Sequence, residues 1–329
     1  KHLGVILDIK LKFEKHINEI CNKASKLLGV MKLSRAHVPM SALEKVYVAF
    51  VRSKLEYGDV LFHTTPSKKK PFRLLPLTTD GLPRLMQKLE TIQYTAARLI
   101  TGCWKGSSTT KVYNLLGWQY LCQRRWSNQM SLFHKIIHKK VPTYLYSLVS
   151  IVHSPFNTDI LTETSAKKQF YIKTFFPSCS FSWNSILKSG ERQNKSLLSF
   201  KSDIIKYSSI QKKVNNFSIC FTNEIKRINQ LRVGLSPLNE HKANHNFAAV
   251  SPLCLCGRGT ESALHFLRHC PLQLTHKRIL YRDVLLDTNI NLLLVPETDF
   301  VRLLLYGDSK FSDSINNKIL KHCLTFIEA

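Results

Sequence analysis

The sequence predicts a mainly α fold: a helical bundle with a short N-terminal β element and a small C-terminal module built around a cysteine–histidine cluster. Apolar residues recur every three or four positions over several long stretches, as in helices with one buried face. A single short apolar run near the N-terminus resembles a strand. The chain has 44% hydrophobic residues, which is enough to form buried cores, and its length of 329 residues suggests two or three domains.

The elements follow in order along the chain. The strand prediction covers Leu3–Leu7, which is short and apolar and ends at Asp8. The helix predictions share an apolar stripe at helical spacing, and they cover His16–Met31, Leu43–Leu55, Leu85–Thr101, Trp118–Ile137, Phe300–Leu305 and Ile315–Phe326. Gly102 directly follows the third of these and favours a helix end there.

Breaks in this periodicity divide the chain into consecutive segments. Proline, lysine and threonine accumulate at Thr64–Pro83, and the periodicity lapses near Ser150–Ser165 and at Leu235–Asn246. We therefore expect six segments: 1–64, a basic proline-rich linker or insertion at 65–84, a helical segment at 85–150, a second helical region at 151–235, a knuckle at 236–275 and C-terminal helices at 276–329.

Four potential metal ligands lie close together near the C-terminal end. They are Cys254, Cys256, His265 and Cys270. Three thiolates and one imidazole form a common structural zinc set without an open coordination position, so this pattern predicts a structural Zn²⁺ rather than a catalytic one. The alternative is that these cysteines are small buried hydrophobic side chains, which is how we interpret the scattered cysteines elsewhere.

The residues between the ligands suit a compact knuckle. Gly257 and Gly259 permit a tight reversal, Thr260 can cap a following helix, and Pro271 ends it. His269 lies one helical turn after His265 and is a rival ligand.

The chain is strongly basic. Its 48 Lys and Arg residues against 22 Asp and Glu residues give a formal net charge of +26. Such a charge favours a polyanionic partner, and we expect nucleic acid. The cations are spread along the chain and no long apolar run exists, which argues against a membrane. Nine cysteines and the lack of a signal-like leader predict an intracellular location, in the nucleus or the cytoplasm.

Several cations stand beside aromatic rings or in short runs, a pattern that suits phosphate contact and base stacking. The candidate nucleic-acid-binding residues are Lys68, Lys69, Lys70, Arg73, Arg124, Arg125, Lys135, Lys139 and Lys140. For each residue taken singly, the alternative is a solvated face that contacts no ligand.

Six blocks occur in the same order as in one known family. They are HLGVILDIKLKFEKHINEICNKASKLLGVM, LEKVYVAFVRSKLEYGDVLF, LETIQYTAARLITG, LLGWQYLCQRRW, the pair FFP and SWNSIL, and CLCG to HFLRHCP. This order resembles the region after the polymerase palm in LINE-type, jockey-like non-LTR retrotransposon reverse transcriptases. The resemblance covers nearly the whole chain.

The resemblance implies a role for each region. Segment 1–64 would be the end of the palm and thumb-like helices, and segment 85–150 a connection domain. Leu3, Gly4, Val5 and Asp8 would support the primer end, with a buried strand and turn as the alternative. The zinc knuckle would hold element RNA, target DNA or an RNA–DNA hybrid.

The chain also departs from the family pattern. Polymerases hold two metal ions with clustered carboxylates, whereas this sequence has no adjacent Asp-Asp pair, and it begins inside a block. We expect a fragment without catalytic residues, inactive alone, whose parent would be an Mg²⁺-dependent RNA-directed DNA polymerase. The alternatives are a free-standing, transposon-derived zinc-stabilised RNA- or DNA-binding protein without enzymatic role, and a decaying copy. The sequence predicts no oligomeric state.

Overall fold

The computed structural model describes residues 1–35, 37–62, 84–149, 151–152, 160–161, 174–185, 196–205, 223–247 and 250–329. Within these ranges the protein is mainly helical, which confirms the predicted fold class. The α-helices in chain order are α1 (Glu14–Ser34), α2 (Met40–Val46), α3 (Ser53–Glu56), α4 (Asp59–Phe62), α5 (Arg84–Thr101), α6 (Thr109–Leu116), α7 (Leu121–Ile137), α8 (Thr143–Tyr146), α9 (Phe175–Ser185), α10 (Leu197–Ile205), α11 (Asn223–Val233), α12 (Asn239–Asn244), α13 (Leu274–Thr288), α14 (Glu297–Tyr306) and α15 (Asp313–Glu328).

Three further helical turns have other geometries. Tyr47–Arg52 and His265–His269 are π-helical, and Pro271–Gln273 is a 3₁₀ turn. The first of them lies within the predicted helix Leu43–Leu55, whose buried residues recur every four positions: Leu43, Tyr47, Val51 and Leu55. The wider π turn keeps a four-residue stripe on one face, where an α-helix would rotate it away. Val46 and Phe50, which also have helical spacing within the predicted helix, are exposed.

The chain forms two units, each assembled from separate stretches. Unit 1 contains Lys1–Val30, Val46–Thr95 and Gly117–Lys212, and unit 2 contains Met31–Lys45, Ala96–Leu116 and Lys213–Ala329. The six consecutive segments predicted from the sequence stay a prediction, because they follow composition along the chain rather than contacts in space.

The predicted N-terminal β element is not confirmed. His2 and Val5 form a single antiparallel bridge around a turn in which Leu3 and Gly4 have φ of 44° and 83°. Leu3 is exposed, whereas Val5 is buried. The described strands lie elsewhere, where Ile151–Val152 pairs antiparallel with Ile160–Leu161.

Helix α1 illustrates how local chemistry sets an element. The Asp8 carboxylate accepts hydrogen bonds from the backbone N–H groups of Lys12 and Phe13, at 2.9 and 2.6 Å, and so fixes the approach to the helix. The buried stripe confirms the prediction over His16–Met31, and it consists of Ile17, Ile20, Ala24, Leu28 and Met31.

Helix α5 also lies where it was predicted and ends before Gly102, whose φ is 74°. The Gly102 N–H donates to the carbonyl oxygen of Arg98 at 2.8 Å. A Cβ atom at this position would lie 2.6 Å from Cγ of Lys226, so both the backbone conformation and the close approach require glycine.

Each unit has its own core. In unit 1, α7, α9 and α10 pack together through Trp126, Met130, Phe133, Cys179, Trp183, Phe200 and Ile204. In unit 2, the core is formed mainly by α11, α13, α14 and α15, and its central buried side chains include Ile228, Val284, Phe300, Leu304 and Ile319. Among the described helices, none is both long enough and apolar enough to cross a membrane.

Candidate metal centre

The first half of the knuckle is a tight reversal that holds two cysteines. Leu253 and Thr260 form an antiparallel bridge, and the Cys254 N–H donates to the carbonyl oxygen of Gly259 at 2.8 Å. Gly257 and Gly259 have φ of 71° and 150°, which L side chains rarely adopt. The two glycines therefore permit the turn that brings Cys254 and Cys256 together, as the sequence predicted.

The second half is the π-helical turn at His265–His269, followed by Cys270 in an extended conformation before Pro271. The Cys270 N–H donates to the carbonyl oxygen of His265 at 2.7 Å. This hydrogen bond closes the turn and places the His265 imidazole and the Cys270 thiol on the same side of it.

The capping residue differs from the prediction. Thr260 was expected to cap this turn, but Ser262 Oγ accepts from the His265 N–H at 3.1 Å. Glu261 has another role, because its carboxylate accepts from the backbone N–H of Asn239 at 2.8 Å. The carboxylate therefore joins the knuckle to the start of α12.

The four predicted ligands converge. Sγ of Cys254 and Sγ of Cys270 are 3.7 Å apart, and Sγ of Cys256 is 3.2 Å from Nε2 of His265. All four ligand atoms lie within 4.8 Å of one another. Ligands held at about 2.3 Å from one ion in a tetrahedron are separated by about 3.8 Å. The cluster therefore has the dimensions of a tetrahedral metal site.

The cluster is largely buried, and its four side chains could complete a tetrahedral coordination shell. Cys254, His265 and Cys270 are buried, and Cys256 is half-buried. Four protein ligands fill a tetrahedron, so no position is left for a substrate. A tetrahedral ion bound by all four side chains would therefore have no open position for a water molecule.

The thiols differ in acidity. Burial raises the pKa of Cys254 to about 11. The backbone N–H of Arg258, whose nitrogen is 3.4 Å from Sγ of Cys256, lowers the pKa of Cys256. A metal binds the thiolate form, so binding releases protons and weakens as the pH falls.

His269 lies outside the cluster. Its Nε2 is 3.2 Å from a carboxylate oxygen of Glu297, and its side chain is 44% exposed. The one-turn spacing from His265 suggested a shared face, but the wider π turn changes the direction of the side chain. Among the described residues, His265 is the histidine that belongs to the metal cluster.

Two cations missed by sequence reasoning attach the knuckle to unit 2. Lys277 donates from Nζ to the carbonyl oxygen of Arg268 at 2.9 Å. The Arg268 guanidinium donates to the carbonyl oxygen of Val295 at 2.7 Å and lies 4.7 Å above the Phe300 ring. Leu267 is fully buried in the same core. The knuckle is thus an integral part of unit 2, and no local sequence pattern signals these long-range contacts.

The predicted nucleic-acid-binding residues have different environments. Lys68, Lys69, Lys70 and Arg73 lie outside the described residues. Lys135, Lys139 and Lys140 are exposed at the end of α7, where they also complement the negative end of the helix dipole. Lys139 Nζ lies 4.9 Å from the centre of the Tyr146 ring.

Arg124 and Arg125 interact with other residues of unit 1. Arg124 forms a two-point ion pair with Glu56, in which Nη2 is 3.0 Å from Oε2. Arg125 is fully buried, and within the described part of the chain its three guanidinium nitrogens have no hydrogen-bond partner, although its charge interacts with the Asp59 carboxylate. Both residues lie on α7, where Arg125 is enclosed within unit 1 and 29% of the Arg124 side chain is exposed. Phosphate contact by either residue stays a prediction.

The four residues assigned to primer support adopt a turn. The Leu3 carbonyl oxygen accepts from the Tyr57 hydroxyl at 2.6 Å, and Gly4 lies against the same ring. Val5 is buried, and the Asp8 carboxylate is engaged with the backbone before α1. These contacts match the turn of the structural alternative but not its buried strand, and the primer role stays a prediction.

No protein-family model matches this chain, and no curated protein and no solved structure matches it either.

Proposed function

We propose that the cysteine–histidine cluster binds a structural zinc ion. Three thiolates and one imidazole at tetrahedral separations are a ligand set that zinc prefers, whereas calcium and magnesium prefer oxygen ligands. Lys277 and Arg268 would then fix the knuckle against the unit 2 core while the metal joins its two halves.

We further propose that this zinc-stabilised chain binds nucleic acid. The observation that carries this proposal is the net charge of +26. Many described carboxylates already have basic partners: Glu56 pairs with Arg124, Asp308 with Arg302, and Glu19 with both Lys1 and Lys23. The remaining cations exceed the acids, and a polyphosphate would neutralise them.

Taken with the six ordered sequence blocks, this chemistry supports a more specific proposal. The chain would be the region after the palm in a LINE-type reverse transcriptase, where it would grip template and primer or element RNA. Mg²⁺ would belong to the parent polymerase. Among the described residues, the cysteine–histidine cluster is the one group of three or more His, Cys, Asp and Glu side chains that could hold a metal ion. A free-standing binding protein derived from such an element would use the same surfaces.

The salt dependence of binding tests the nucleic-acid proposal. Fluorescence anisotropy of a labelled oligonucleotide should give an affinity that falls about a thousandfold or more between 50 and 200 mM salt, if about six to ten phosphates are neutralised. An RNA and a DNA of the same sequence would establish the preference. Absence of binding at low salt, or an affinity independent of salt, would refute the proposal.

A further inference from the structure

Two turns of unit 2 each present an aromatic ring. The first follows α5, where the Ser107 N–H donates to the carbonyl oxygen of Trp104 at 3.2 Å. The second follows α12, where the Phe247 N–H donates to the carbonyl oxygen of Lys242 at 3.0 Å. The centres of the Trp104 and Phe247 rings are 6.2 Å apart, and the rings are tilted by 56°. Residues far apart in the sequence thus form one aromatic pair.

The pair is open to solvent. Phe247 is 43% exposed, and Trp104 is half-buried. Within the first turn, Gly106 has no atom within 4 Å of the position that a Cβ would take. An exposed pair of large rings is costly in water unless it has a partner.

Each of the two turns carries a basic side chain beside its ring. Lys105 is exposed beside Trp104, and the stretch 102–111 contains no acidic residue. On the second turn, Lys242 is half-buried and His245 is exposed shortly before Phe247. Aromatic rings beside cations suit a ligand that has flat faces and negative charges, which describes a single-stranded nucleic acid.

We propose that Trp104 and Phe247 form a stacking platform for the bases of a single-stranded nucleic acid, with Lys105, Lys242 and His245 facing its phosphates. This inference rests on the proposed nucleic-acid binding and names one surface for it. Bases of a duplex are stacked on one another and cannot reach the rings, so the platform favours single strands. The knuckle follows Phe247 closely in the sequence, so the proposed zinc ion would help to hold the second turn in place.

Binding of a labelled 15-nucleotide oligo-uridine to the full chain tests the platform. Trp104→Ala should weaken binding about 5- to 100-fold, as expected for the loss of stacking on one base. Trp104→Phe keeps a ring and should recover most of the affinity. The matched control is Phe50→Ala, which removes a 58% exposed ring in unit 1 and should leave binding unchanged.

Further measurements separate the platform from folding and from the underlying function. Phe247→Leu retains apolar volume but no ring, so it should weaken single-strand binding while the melting temperature stays close to that of the wild type. Wild-type affinity in both Trp104→Ala and Phe247→Leu would overturn the platform and leave the proposed function standing. A wild-type chain that binds no nucleic acid would overturn both.

Discussion

Replacing Cys256 by serine should destabilise unit 2 without unfolding it. Cys256 is the half-buried ligand, so the smaller side chain leaves no large cavity, unlike a change at Cys254 or Cys270. Loss of a residue that only forms a hydrogen bond to a metal ligand lowers the metal affinity about 10- to 100-fold. We therefore expect the loss of a ligand itself to cost at least about 100-fold, or about 2.7 kcal/mol at fixed free zinc. For a unit of this size, this corresponds to a melting temperature lower by about 5–10 °C.

The damage should stay local. Of the fully buried apolar side chains in the unit 2 core, the knuckle contributes Leu267, whereas α13, α14 and α15 contribute most of the others. Far-UV circular dichroism should therefore change little, while the zinc content falls from about one ion per chain. Cys21→Ser removes a thiol outside the cluster and serves as the matched control.

Chelation provides an independent check. A strong chelator should lower the melting temperature of the wild type toward that of Cys256→Ser and should have little effect on the variant. If the wild type contains no zinc, or if chelation leaves its melting temperature unchanged, the four side chains do not form a metal site. The short distances between their ligand atoms would then reflect ordinary packing of the knuckle.

Three further predictions concern charges in unit 1. Glu56→Gln breaks the partly buried ion pair with Arg124 and should lower the free energy of unfolding in urea by about 1–3 kcal/mol; an unchanged midpoint would show that the pair contributes nothing. Arg125→Met replaces a buried guanidinium for which the described residues provide no hydrogen-bond partner, so it should raise that free energy by about 1–4 kcal/mol. A destabilised variant would show that the attraction between Arg125 and the Asp59 carboxylate outweighs the cost of burying the guanidinium. Burial raises the pKa of Asp59 to about 6, so the folded state holds the proton more tightly than the unfolded state and wild-type stability declines as the pH rises from about 4 to 6. The free energy of unfolding of Asp59→Asn relative to that of the wild type should increase over that window by up to about 3 kcal/mol. If this difference does not change with pH, the pKa of Asp59 is not raised in the folded state.

Helix α7 shows where sequence reasoning was limited. Its helical character was predictable, but its buried residues include Gln123, Arg125, Gln129 and His134. A one-dimensional pattern assigns polar side chains to the solvent side, and here α4, α9 and α10 all pack against the helix. The burial of Arg125 could not be predicted from the local pattern, because these packing partners come from distant parts of the chain.

The sequence alone determined the features that depend on neighbours along the chain. These include the apolar stripe of α1, the end of α5 at Gly102 and the convergence of Cys254, Cys256, His265 and Cys270, because the short spacings and two glycines restrict the turn locally. Tertiary structure decided what depends on packing between distant segments. It sets His269 against Glu297, holds the knuckle on the unit 2 core through Arg268 and Lys277, and brings Trp104 beside Phe247. Such contacts depend on which helices meet, and that choice is made by the burial of many apolar side chains together rather than by any one motif.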